Sequence, residues 1–255
     1  LQHQDGHSHI LASTVPNLKS YDPAFGYELA LIIRDGIRRM YGNGENIFYY
    51  LTVYNENHAM PALPEIEGIE ERIVKGGYRL RRSGSDGEPV HLLASGSIMQ
   101  QALAAADRLE ALGHAVQVWS ITSFTELARD AEDCARWNRL HAHLPAGEHA
   151  PRRAYVEEMF AGQRGVFVAV TDYMKALPAM IARWIPGRYI TLGTDGYGLS
   201  EARADIRRHF EISADFIVHA ALAGLHESGC IPSQAFAEQQ RALAIDPDKP
   251  NPAAR

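Results

Sequence analysis

The chain is short of several things, and each shortage removes a class of protein. Only two of its 255 residues are cysteine, Cys134 and Cys230. They lie far apart and outside any metal-ligand spacing, so no disulfide framework is encoded; one bridge is the most they could form, and the usage fits a reducing, cytosolic compartment. Positive charge is in deficit, with 25 Lys and Arg against 31 Asp and Glu for a formal net charge of −6. That argues against nucleic acid or an anionic membrane as partner. No apolar run approaches the roughly 18 residues that a membrane span needs. A G-x-S-x-G elbow, a cysteine in a nucleophile setting, a glycosidase-like carboxylate pair and a Walker loop are all missing. Leu1 stands where an initiator Met would be and leads straight into a polar loop, so the chain reads as a fragment or a processed product.

What remains is ordinary globular composition, 46% hydrophobic and 22% charged, with enough length to bury a sizeable core. Asp22-Pro23 reads as a helix start, an acidic cap followed by proline at the first helical position. Phe25, Leu29, Ile32, Ile33, Ile37 and Met40 then recur on one helical face. Residues 46–54 have the β-branched and aromatic bias of a strand buried on both faces. Residues 55–64 read as a linker or crossover loop, 66–74 as a short acidic helix, 77–82 as a short strand and 83–87 as a turn.

From residue 90 the alternation is regular. Strands are expected at 90–94, 114–121, 165–170 and 189–192, and helices at 98–112, 127–140, 173–184, 201–210, 213–227 and 232–244. Gly113 caps the first of these helices, and 141–153 is a polar loop. Strand and helix in turn with short connections imply an α/β fold of mostly parallel sheets with helices on both faces. The expected divisions are 1–62, a linker at 63–75, and 76–255. Arg38-Arg39, Arg81-Arg82, Arg152-Arg153 and Arg207-Arg208 read as solvated faces, and Trp119, Trp137 and Trp184 as core or interface anchors.

Chemistry concentrates at the start of the chain. Gln2-His3-Gln4-Asp5-Gly6-His7-Ser8-His9 packs three imidazoles and a carboxylate around one glycine. Three readings stay open on spacing alone: a metal site using His3, His7, His9 and Asp5, a bland surface loop, or a catalytic loop. In the last, neutral imidazoles would hydrogen-bond a substrate carbonyl or carboxylate and move protons near pH 7. The stretch Gly193-Thr194-Asp195-Gly196-Tyr197-Gly198 lacks a following Lys-Ser/Thr. It reads as a rigid turn carrying Tyr197 toward an interface rather than as a phosphate loop. Asp172, where a strand gives way to a helix, reads as a cap, and Lys175 as an ordinary first-turn residue.

Five separated motifs then fall in one order: His3-Gln4-Asp5-Gly6-His7-Ser8-His9, Ser20-Tyr21-Asp22-Pro23-Ala24, Tyr54-Asn55-Glu56-Asn57, Thr122-Ser123-Phe124-Thr125-Glu126-Leu127-Ala128-Arg129-Asp130 and Leu192-Gly193-Thr194-Asp195-Gly196-Tyr197-Gly198. In that order and spacing the chain resembles the homodimeric type of pyruvate dehydrogenase E1 component, of the transketolase-like superfamily, along essentially its whole length. The resemblance implies that 1–62 is the C-terminal end of a thiamine pyrimidine-binding domain and 76–255 a transketolase-like C-terminal domain. It also implies oxidative decarboxylation of pyruvate, with transfer of the acetyl group to the lipoyl group of a dihydrolipoyl acetyltransferase, by a cytoplasmic homodimer using thiamine diphosphate and Mg²⁺. His7 would be the catalytic or substrate-binding residue, with Asp5 and His9 as weaker carry-overs.

The family's G-D-G motif with its downstream Asn, which holds the metal and diphosphate, is absent, and the glutamate that activates the aminopyrimidine would precede Leu1. The expectation is therefore a chain inactive by itself, with apolar surface exposed where neighbouring domains belong. A transketolase acting on sugar phosphates is the alternative. It would call for an Arg- or Lys-rich pocket beside the Asp-Gly loop, of which the sequence gives no sign. A non-catalytic dimerisation or assembly module is the other alternative.

Overall fold

The computed structural model describes residues 5–84, 87–143 and 150–254. His3, part of the 83–87 turn and the middle of the 141–153 loop lie outside the described residues. In chain order the elements are α1 (Ser8–Ser13), β1 (Leu18–Tyr21), α2 (Gly26–Ile37), β2 (Phe48–Leu51), α3 (Ile69–Lys75), β3 (Tyr78–Arg82), β4 (Val90–Ala94), α4 (Met99–Ala111), β5 (Val116–Ser120), α5 (Phe124–Leu140), α6 (Tyr155–Met159), β6 (Val166–Val170), α7 (Ala176–Ala179), β7 (Arg188–Leu192), α8 (Arg203–His209), α9 (Ala214–Glu227) and α10 (Ser233–Ala242). Among the described residues no helix is long and apolar enough to cross a membrane.

The larger sheet has the order β3-β5-β4-β6-β7, with β3 antiparallel to β5 and every other pairing parallel. Strands β4, β5 and β6 are buried at every position, as near-continuous apolar runs covered on both faces must be. Alternation divides their side chains. Val90, Leu92, Val116, Val118, Val166 and Val168 pack under α4 and α9. Leu93, Trp119, Phe167 and Ala169 pack under α5, α6 and α7. Each Val, Leu or Phe side chain among them contributes about 1.5–3 kcal/mol when buried in full.

The chain runs from β4 to β5 in one direction and returns to place β6 on the other side of β4. The carboxyl ends of β4 and β6 therefore flank a topological switch point, the place where open α/β sheets leave a crevice. Sheet β1–β2 is also parallel. Its carboxyl ends, at Asp22 and Thr52, abut Ser95 and Gly96 beyond β4.

Several sequence expectations need correction. Asp22-Pro23 does not start α2, which begins at Gly26. Asp22 is instead a buried acceptor for three distant hydroxyl groups. The apolar face of α2 is not a core face throughout: Ile32 is buried, but Ile33 and Ile37 are 43% and 55% exposed while Glu28 and Asp35 are buried. β2 is likewise half open rather than buried on both faces. The helix expected at 173–184 shrinks to α7 and one 3₁₀ turn at Ala182–Trp184; Pro178 has no N–H to bond back to the Met174 carbonyl, so the helix does not reach 173. α6 was not foreseen. Among the basic pairs, Arg207 is only 11% exposed.

Candidate active site

Asp5 builds the loop from its own end. Its Oδ1 accepts the backbone N–H groups of His7 and Ser8, each at 3.0 Å, and so satisfies donors that open α1. Burial pushes the Asp5 carboxyl up, but the Ser8 hydroxyl and those N–H groups bring it below its usual value. Gly6 accepts the N–H of Met174 on its carbonyl at 2.9 Å. A Cβ on Gly6 would stand 3.1 Å from the Thr194 carbonyl.

The Gly193-Thr194-Asp195 turn lies beneath. Thr194 donates to the Asp172 carbonyl at 2.7 Å, and Asp195 accepts the Lys175 N–H at 3.0 Å. A Cβ on Gly193 would fall 2.4 Å from the Tyr173 carbonyl. The glycine-rich motif is thus a rigid turn, as its sequence implies, and it supports the 5–9 loop. Tyr197 is exposed.

His9 is buried and bonded at both ring nitrogens, Nδ1 to Ser20 Oγ at 2.5 Å and Nε2 to Thr52 Oγ1 at 3.0 Å. Thr52 donates its hydroxyl proton to Asp22 Oδ1 at 2.7 Å. A carboxylate only accepts, so Thr52 receives the His9 Nε2–H, and Nδ1 accepts from Ser20. This is a neutral imidazole with a fixed tautomer. Burial holds it below the ordinary histidine range against the pull of the Asp22 and Asp5 carboxylates, and Tyr50 and Tyr173 meet the ring edge-on. His7 differs: its Nδ1 is buried with no hydrogen-bond partner among the described residues, a condition that native structures rarely leave without a purpose.

Asp22 ties the two sheets together at this point. Besides Thr52, it accepts Tyr54 OH at 2.6 Å and Ser95 Oγ at 2.7 Å. Gly96, with φ at +51°, passes so close that a Cβ would lie 2.6–2.7 Å from Tyr54 OH and the Asp22 carboxylate. Arg129 grips the chain after α1 by donating to the carbonyls of Ser13, Val15 and Leu18. Its neighbour Glu126 pairs with Lys19 at 2.6 Å. The sequence marked the segments carrying Asp22, Tyr54 and Arg129 as motifs, but nothing local disclosed these roles.

A cavity of about 320 Å³ opens at the switch point, with Asp5, Tyr54, Asp172, Tyr173, Arg203 and Arg207 in its wall. Of the three sequence-predicted residues, Asp5 lines it; His7 and His9 do not. Asp172 is not a cap, since α7 starts at Ala176. Its carboxyl faces the cavity region and is pushed up to about 6 by burial, despite Arg207 beside it. Two arginines beside the Asp-Gly loop also correct the expectation of none, though Arg207 is paired with Glu56 and Arg203 with Asn55. Among the described residues no group of three or more His, Cys, Asp or Glu could hold a metal ion.

Residues 1–61 match the family model of the pyruvate dehydrogenase E1 component middle domain, and 76–213 that of the transketolase-like TK C-terminal domain. The pyruvate dehydrogenase E1 component of Pseudomonas aeruginosa is 46% identical over 255 residues, covering 99% of this chain and 28% of that protein. That of Escherichia coli strain K12 is 46% identical over 256 aligned residues, with the same coverage. The chain thus spans about 28% of the length of these curated relatives. Among solved structures, a transketolase from Leishmania mexicana superposes with a TM-score of 0.58 at 19% identity, over 92% of this chain and 30% of that one. A split gene transketolase described as an inactive beta4 tetramer superposes with 0.55 at 17%, over 88% and 63%. At these identities the likeness is one of fold.

Proposed function

Because this chain belongs to the transketolase-like C-terminal domain family, and carries the middle-domain segment of pyruvate dehydrogenase E1 components ahead of that domain, we propose that it forms one wall of a pyruvate dehydrogenase active site. The observation that carries the reading is a loop anchored through Asp5, Gly6 and His9 in which the His7 imidazole, at Nδ1, and the adjacent Ser8 hydroxyl are left without partners among the described residues. His7 is the residue that meets the 2-oxo acid. It holds or moves a proton at the carbonyl or carboxylate oxygen, the work for which histidine is suited near neutral pH. His9, neutral and bonded at both nitrogens, positions α1 and the loop. Asp5 sets the turn from which His7 projects.

Among the described residues no cradle for thiamine diphosphate and Mg²⁺ is furnished. No metal-holding group of three occurs among the described residues, and no G-D-G motif occurs in the sequence. Cofactor and metal are accordingly assigned to the rest of the intact enzyme, where a diphosphate without its ion and backbone donors would lose most of its affinity. A homodimer in the cytoplasm and transfer of the acetyl group to the lipoyl group of a dihydrolipoyl acetyltransferase complete the proposal. Sugar-phosphate chemistry is disfavoured because both cavity arginines already have protein partners.

The test is turnover of pyruvate with thiamine diphosphate, Mg²⁺ and an artificial electron acceptor. The intact enzyme is expected to be active and this 255-residue chain inactive. Turnover by the chain alone contradicts the reading.

A further inference from the structure

Arg203 and Arg207 lie one turn apart on α8, both in the cavity wall. Arg207 meets Glu56 with two nitrogens, Nη1 to Oε1 at 3.0 Å and Nη2 to Oε2, with the side chains 11% and 23% exposed. Arg203 Nη2 donates to Asn55 Oδ1 at 2.7 Å. A two-pronged contact to two oxygens is also how a guanidinium takes a phosphate. Glu56 therefore occupies on Arg207 the edge that a phosphate ester would need.

The rest of the wall reinforces the exclusion. Arg207 holds the Glu56 carboxyl below its usual range, so the pair stays ionised. Asp5 contributes a second carboxylate and Asp172 a third carboxyl, which accepts no hydrogen bond from any described residue. Three acids thus stand against two cations, and a dianion entering there meets like charge in a partly desolvated site, where charges are poorly screened.

We propose that Glu56 is a specificity determinant: by occupying Arg207, and with Asp172 beside it, it keeps phosphate esters out of the cavity next to the 5–9 loop and leaves the site to unphosphorylated substrates. The specificity role rests on the reading that this cavity opens on the substrate path; the anion-binding argument stands without it.

The probe is inorganic phosphate, titrated calorimetrically into the intact protein as wild type, Glu56→Gln and the double variant Glu56→Gln/Asp172→Asn. The wild type is expected to show no Arg207-dependent saturation up to about 50 mM, and the double variant to bind at least about tenfold more tightly, since a freed guanidinium forms charge-assisted bonds. Adding Arg207→Gln is expected to abolish that binding. Should the Glu56 variants fail to fold, Asn55→Ala frees Arg203 while leaving Glu56 on Arg207 and the three acids in place; it is expected to bind phosphate no better than the wild type, and saturable binding there overturns the proposal. Phosphate binding by the wild type that is lost in Arg207→Gln overturns the proposal. So does the absence of binding in a folded Glu56→Gln/Asp172→Asn variant. Binding that leaves pyruvate turnover unaffected removes the cavity from the substrate path, and with it the specificity role, while sparing the charge argument.

Discussion

Single residues here are decided by who donates to whom. In the middle of β4, His91 accepts Trp119 Nε1–H on Nδ1 at 3.2 Å and donates Nε2–H to the Arg164 carbonyl at 2.8 Å. It also stacks on Phe167 with ring centres 4.2 Å apart. Both nitrogens are used by the neutral form, and burial pushes the ring down to about 4. Above pH 6.5 the ring is neutral in both folded and unfolded chains. As pH falls from about 6.5 toward about 4 the unfolded chain takes up the proton and the folded one does not, so stability declines across that window by about 3 kcal/mol. Denaturant unfolding between pH 7.5 and 4.5 checks this: the wild type loses stability with acid, and His91→Phe, less stable at pH 7.5, loses that part of the slope. An unchanged slope in the variant assigns the acid sensitivity elsewhere. The same reasoning separates His9 from His7: a histidine with both nitrogens engaged is held in place, and one with a nitrogen left over keeps a hydrogen bond still to make.

Elements meet through buried polar contacts as much as through apolar packing. Glu28 of α2 is fully buried and receives four donors: the Ala24 and Phe25 N–H groups, Tyr78 OH at 2.8 Å and Ser120 Oγ at 2.6 Å. It thereby joins α2 to β3 and β5. Burial raises its carboxyl pKa, with those four contacts opposing. Glu28→Gln turns an amide NH₂ toward existing donors and is expected to cost about 3 kcal/mol in chemical denaturation, as breaking a buried charged contact does; a loss under about 0.5 kcal/mol contradicts the clamp. None of this was legible in the sequence, where Glu28 is one polar residue in an apolar helix. The strands Val90–Ala94 and Val166–Val170 were legible, because a strand covered on both faces must be apolar throughout. Asp22-Pro23 misled for a physical reason: a carboxylate suited to cap a helix was claimed by Thr52, Tyr54 and Ser95, 30 to 73 residues away. At the site, the 5–9 cluster stood out by composition, but the burial of His9 depends on Ser20 from β1 and Thr52 from the end of β2.

At the scale of the whole molecule, two sheets meet at their carboxyl ends and place the loop, the Asp22 junction and the cavity in one region. Large apolar side chains stand exposed in the first part of the chain, Ile33 and Ile37 on α2, then Tyr41, Phe48 on β2 and Val53, and the chain spans about 28% of its relatives' length. The proposal that this chain supplies half of a site turns on His7, since Asp5 and His9 are both engaged in holding the loop. The most direct measurement is the kcat of the intact enzyme carrying His7→Ala, with pyruvate as substrate. The account predicts a fall of about 10²–10³-fold, with unfolding free energy within about 0.5 kcal/mol of wild type. Turnover within about threefold of wild type, well short of a proton-transfer role, would contradict it.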